Sequence, residues 1–173
     1  MARPTLSQLR ALPDKRTTYQ WDLTFESFPA GVSAPLSSED INIRCISSTL
    51  PVKEVQKIEY TVRGFTLSQP GTYTVSSPIE LTFISPIDMN LEEFFRNWRE
   101  ACTQTDTGTH LPFDQVTCNI ILTLLDRQDK PIWKYKLIDC WLPKYETGDM
   151  NSDNAIANSV ATIEFIDVED GRP

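Results

Sequence analysis

The run VTCNIILTLLDRQDKPIWKYKLIDCW, residues 116–141, alternates side-chain character on both sides of a polar break. Val116, Cys118, Ile120, Leu122 and Leu124 fall on one face, with Thr117, Asn119 and Thr123 on the other. Asp126 to Lys130 supplies turn chemistry, and then Trp133, Tyr135, Leu137 and Trp141 alternate with Lys134 and Lys136. A period of two, apolar against polar, is the pattern of a half-buried strand, so the run predicts a long β-hairpin.

The same period recurs outward from it. Tyr19, Trp21, Leu23 and Phe25 predict a strand, as do Ile41, Ile43 and Cys45, then Ile58, Tyr60 and Val62, then Ile79, Leu81 and Phe83, and finally Ala161, Ile163 and Phe165. FPAGVSAPLSSED reads as a loop, and SSTLPVKEVQK as a polar connection broken by Pro51. RGFTLSQPGTYTV reads as a hairpin with a polar tip, its turn signalled by Gly64 and the Pro70-Gly71 pair. LPKYETGDMNSDNA is a polar loop. One segment has helical spacing: Leu91, Phe94, Phe95, Trp98 and Cys102 recur three and four apart, and Asn90 with Glu93 has capping-box spacing.

About seven strands and one amphipathic helix, joined by turns, predict a mainly β protein. The sheets should be antiparallel, folded as a sandwich or partial barrel with the helix on one side. Residues 1–18 form an N-terminal arm, 19–168 the β domain, and 169–173 an acidic tail expected to fray. At 173 residues the chain makes one ordinary domain. No apolar run is long enough for a membrane helix, no signal-peptide h-region opens the sequence, and membrane binding by this chain is not expected.

The net charge is −8, which speaks against a protein that grips nucleic acid by its phosphates. Catalysis has little to work with. His110 is the one histidine and sits in a loop; Glu92 and Glu93 suit a helix N-terminus; Asp167 to Asp170 read as a solvated tail. DMNSDNA, residues 149–155, lacks the glycine and terminal glutamate of a calcium loop, and no phosphate-binding glycine motif occurs. Cys45, Cys102, Cys118 and Cys140 have no zinc or redox spacing; they read as buried thiols, with disulfides formed after release as the alternative. No catalytic residue, metal or cofactor is expected. What remains is surface: long strands with polar outer faces and open edges, which a ring of copies would close.

Several segments, taken in order, resemble the tail tube proteins of contractile-tailed bacteriophages, from about Tyr19 to Asp167. Arg44-Cys45 leads through Leu50-Pro51 to strand residues from Lys57, like the family's strand, Leu-Pro turn and glycine-bearing strand. Pro78 to Phe83, followed by Phe95 and Trp98, is similar to its strand and Phe-x-x-Trp helix. Leu137-Ile138-Asp139-Cys140-Trp141-Leu142-Pro143 matches a strand ending in Trp then Pro, before Asp153-Asn154 and the closing strand Thr162 to Asp167. The arm is longer than the family's, and the 30–40 loop is rich in Pro and Ser.

The resemblance implies a structural virion protein of the tail, assembled in the host cytoplasm. Six copies would form a ring, their strands closing one multi-subunit β-barrel, and rings would stack into a tube. The implied partners are a surrounding sheath, a baseplate or tube initiator, a tape-measure protein in the lumen, and double-stranded DNA in transient, non-specific passage. Glu59, Thr61, Arg63, Glu80 and Thr82 are the expected lumen-lining residues. Val52, Lys53, Glu54, Leu67, Gln69, Gly71 and Tyr73 are the expected inter-ring contacts. Other readings are a tube initiator or baseplate-proximal ring of the same fold, a secretion-system ring, and a stand-alone β-barrel that binds a small ligand.

Overall fold

Hairpin β6–β7 frames the molecule. β6 spans Cys118–Leu125 and β7 spans Pro131–Glu146. The turn between them is built on Asp126, whose carboxylate accepts the backbone N–H groups of Gln128 (2.7 Å) and Lys130 (2.9 Å). The structure is a computed structural model that describes residues 18–76, 78–148 and 156–173. The expected arm 1–18 lies outside the described residues, save Thr18, and so does the string 149–155.

β7 is longer than the alternation predicts, because it bends rather than stops. Asp139 adopts φ 53°, a left-handed conformation that Asp tolerates better than most residues. Its N–H donates to Asn119 Oδ1 (3.3 Å), while Asn119 Nδ2 donates to Glu26 (2.9 Å), which also takes the Lys136 ammonium (2.8 Å). Up to the bend β7 pairs with β6 and β9 (Asp167–Gly171); just past it Cys140 still opposes Cys118 of β6, and from Trp141 the strand pairs with β8 (Asn158–Glu164). Leu142 to Glu146, expected as loop, are therefore strand. The tail expected to fray is likewise strand over Asp167–Gly171, since buried Val168 pins it opposite Leu137.

The sheet runs β1-β6-β7-β8-β5-β2 with β9 on β7, all antiparallel, where β1 is Trp21–Phe25, β2 is Cys45–Ser48 and β5 is Ile79–Ile84. Helix α1 (Ser38–Arg44) replaces the strand expected from Ile41 and Ile43. Ser37 and Asp40 form a reciprocal capping box that starts the helix, and only Ile41 of its residues is buried. The helix also covers the open edge of β1: Asn42 Oδ1 accepts the Leu23 N–H (2.8 Å), and Ser38 Oγ accepts that of Phe25 (2.9 Å).

Helix α2 (Asn90–Cys102) carries the predicted stripe. Leu91, Phe94, Phe95 and Trp98 are fully buried, against Phe25, Phe28, Phe83 and Tyr145. Burial of each such side chain is worth about 1.5–3 kcal/mol, so α2 fixes one side of the core. Trp98 Nε1 donates to the Val116 carbonyl (2.7 Å). The Asn90–Glu93 capping box is not made: Asn90 Nδ2 donates to Asp88 (3.1 Å), and Met89 (φ 54°) is the N-cap. Val116 belongs to a short helix, α3 (Phe113–Val116), rather than to β6.

Candidate functional site

Strands β3 (Val52–Val62) and β4 (Phe65–Ser76) form a hairpin that, among the described residues, pairs with no other strand. The turn is Arg63-Gly64, with φ 50° and 84°, the two-residue form whose twist suits a hairpin. Of the two expected turn signals, Gly64 is thus in the turn, whereas Pro70-Gly71 lies inside β4, where the register shifts between Val55 and Lys57. An irregularity is where a strand tolerates a proline, which has no N–H to give. Gly71 is required there by space: a Cβ would stand 2.8 Å from Ile58 Cγ1 and 3.1 Å from the Gln56 carbonyl oxygen.

Directly opposed residues share a face of a hairpin. Beyond the shift, Tyr60 opposes Leu67 and Val62 opposes Phe65, so these lie with Ile58 on one face. Lys57, Glu59, Thr61, Thr66 and Ser68 make the other. All five apolar side chains are exposed, Phe65 most of all at 74%. At the base, Tyr73 and Val75 oppose Val55 and Lys53. Here the hairpin touches β9: Lys53 pairs with Asp170 (3.1 Å), and the Tyr73 hydroxyl donates to Asp167 (3.4 Å). The seven residues Val52, Lys53, Glu54, Leu67, Gln69, Gly71 and Tyr73 all fall on this one hairpin.

The five expected lumen residues divide between two places. Glu80 and Thr82 lie on the polar face of β5, opposite Thr162 and Val160 of β8. Glu59 and Thr61 lie on the polar face of the hairpin, and Arg63 in its turn. Sequence reasoning missed Lys144 and Glu146, which extend the β5–β8 face because β7 continues past its bend; Lys144 opposes Thr162 and Glu146 opposes Val160. The Glu146 carboxylate beside Lys144 holds its ammonium above the ordinary value. With Glu80, Glu146 and Glu164 against Lys144, carboxylates outnumber cations on this face.

His110 is exposed in the segment after α2. Among the described residues no group of three or more His, Cys, Asp and Glu side chains converges as a metal site. The four cysteines are free. Burial pushes the thiols of Cys45 and Cys140 up to about 12 and that of Cys118 higher still, the reverse of what a nucleophilic thiol needs.

Two observations therefore stand out: a two-stranded hairpin with an unpartnered apolar face, and a sheet whose outer face is polar and acidic. The sequence profile of the family described as phage tail tube protein matches residues 15–156. The chain belongs to the phage tail tube protein family. No curated protein matches the sequence. Solved structures share the fold of this tail tube protein. One is the tube-terminating cap of the anti-feeding prophage, at 15% identity and TM-score 0.69, covering 94% of this chain and 95% of that one. Another is the sheath–tube complex of an extracellular contractile injection system in the extended state, at 15% identity and TM-score 0.62, covering 99% and 100%. A third is the sheath/tube terminator of such a system, at 14% identity and TM-score 0.66, covering 93% and 99%.

Proposed function

We propose that six copies of this chain close a ring, that rings stack into the inner tube of a contractile tail, and that double-stranded DNA passes through the bore into the host. The observation that carries the reading is the hairpin β3–β4. A lone two-stranded hairpin is marginal in water, and this one leaves Ile58, Tyr60, Val62, Phe65 and Leu67 uncovered. Stacking covers them, with Val52, Lys53, Glu54, Gln69, Gly71 and Tyr73 joining the contact between rings.

β2 and β9 each have one strand neighbour among the described residues, so a neighbouring copy extends the ladder there. The channel is lined by Glu80 and Thr82 with the polar face of β8, and by Glu59 and Thr61 where the polar face of the hairpin prolongs the wall, with Arg63 in the turn at the end of that wall where the next ring begins. Where the β5–β8 face lines it, the wall is acidic and hydrated and repels phosphates, so DNA slides rather than sticks. A sheath surrounds the tube, a baseplate or initiator nucleates it, and a tape-measure protein fills it before DNA enters. The protein then resides in the virion tail after assembly in the host cytoplasm.

A terminal ring of the same fold is the second reading, since the two tube-terminating structures superpose at 0.69 and 0.66 against 0.62 for the sheath–tube complex. Copy number in the particle separates them: many layers for a tube, one ring for a terminator. Negative-stain microscopy of the purified chain tests both. Rings or tubes with a central pore are expected; a compact monomer at every accessible concentration overturns the proposal.

A further inference from the structure

We infer that the apolar face of hairpin β3–β4 seats on one particular surface of the next copy, the pole where the Arg44–Asp88 ion pair ties α1 to residues 86–89. This rests on the stacking reading above and names its acceptor.

The topology puts the two surfaces at opposite ends of one strand pair. β2 and β5 pair antiparallel, with Cys45 opposite Phe83 and Ser48 opposite Leu81. The chain leaves this pair at Ser48 to enter β3 and returns from β4 to Ile79. The hairpin thus springs from the Ser48/Ile79 end. The Cys45/Ile84 end carries the last turn of α1 and the approach to α2. A six-residue strand such as β5 separates the two ends by roughly 20 Å at about 3.3 Å per residue. Different surfaces at opposite ends make head-to-tail contacts, which propagate; a self-complementary patch stops at a dimer.

The chemistry of the far pole matches the hairpin. Arg44 Nη2 lies 3.1 Å from Asp88 Oδ2, and beside this pair stand three exposed apolar side chains, Ile43 (79%), Ile87 (101%) and Met89 (54%). Met89 is held at the N-cap of α2, where its flexible thioether can fit an irregular surface. In a chain of net charge −8 the hairpin carries a slight positive excess, with Lys53, Lys57 and Arg63 against Glu54 and Glu59. Its tip is Arg63, and beyond the internally paired Asp88 the pole offers exposed Glu93. Apolar meets apolar, and a basic tip meets an acidic rim. The occupant of the pole is a second copy of this chain.

The test uses the full chain with p-benzoylphenylalanine in place of Phe65. Irradiation of assembled tubes is expected to link that position to a peptide containing residues 41–46 or 86–91 of another copy. Ile87→Glu is expected to melt like the parent protein, because the side chain is fully exposed, and to lower tube yield by about tenfold or more. Cross-links confined to other peptides, or full tube yield from Ile87→Glu, overturn the acceptor and leave stacking intact. An unmodified chain that forms no tubes overturns both.

Discussion

Replacing Phe65 by Ser probes the assembly without touching the core. Phe65 sits beside the hairpin turn, opposite Val62, and is 74% exposed. A Phe side chain buries about 150–250 Å² when covered, so roughly 150 Å² stands in water here. At about 25 cal/mol per Å², covering half of that against a neighbouring copy contributes roughly 2 kcal/mol. Within one chain, the change loses only the Val62–Phe65 cross-strand contact, worth about 1 kcal/mol at most. The protein concentration at which tubes first pellet is therefore expected to rise about 30-fold. Pelleting across a dilution series gives that threshold, and a urea melt of the unassembled chain checks that the fold is intact. A Phe65→Ser chain that is folded and polymerises at the unmodified threshold would refute the stacking role of this face.

Trp98→Phe removes the indole donor to the Val116 carbonyl and leaves a small void, so unfolding in urea should come earlier by about 2–3 kcal/mol. Glu26 is held below its ordinary value by hydrogen bonds from Lys136 and then Asn119. Its contribution to stability is thus present above the unfolded-state value of about 4.3 and is lost as pH falls through the folded value; Glu26→Gln should flatten that part of a stability-against-pH curve. Lys136 is raised by the same contact, and its share is lost only as pH climbs through its folded value above about 10.4. Buried Cys118 and Cys140, with thiols pushed upward by desolvation, should resist a thiol reagent at neutral pH until the chain is unfolded, whereas half-buried Cys102 reacts first. Gly71→Ala should displace Ile58 and raise the polymerisation threshold; an unchanged threshold would mean that the close approach at Ile58 is unimportant to stacking.

The strands legible in the sequence are those buried on one face. Leu23 and Phe25, Ile79 to Phe83, Ile120 to Leu124, and Ala161 to Ile163 all alternate because one side is buried and the other is more open to water. What escaped reading lacks that contrast. In α1 the residues Ile41 and Ile43 alternate like a strand, yet Ile43 is exposed and the Ser37–Asp40 cap sets the conformation. β3 was legible only from Ile58, because Val52 and Val55 stand three apart among Lys53, Glu54, Gln56 and Lys57 and so break the period of two. Pro70-Gly71 carried a turn signal but occupies a register shift, and the other signal, Gly64, closes the hairpin with Arg63. Among the candidate surface residues, Val52, Lys53 and Glu54 were read as a polar connection and only the β3–β4 register joins them to Leu67, Gln69, Gly71 and Tyr73 in one hairpin, while Glu80 and Thr82 needed the continuation of β7 to reveal Lys144 and Glu146 as their neighbours.

By itself the sequence determined the antiparallel β character, the single long amphipathic helix and the acidic balance, because period and charge are local properties of the chain. Only the tertiary structure decided where β7 bends at Asp139, which edge α1 covers, and that the apolar sides of β3 and β4 fall on one shared face of their hairpin. Those depend on register and on partners distant in sequence: Asn119 bridging to Asp139, Asn42 reaching Leu23, and Tyr60 falling opposite Leu67. No local pattern encodes such pairings, since a slip of one residue would reverse every face while leaving the sequence unchanged.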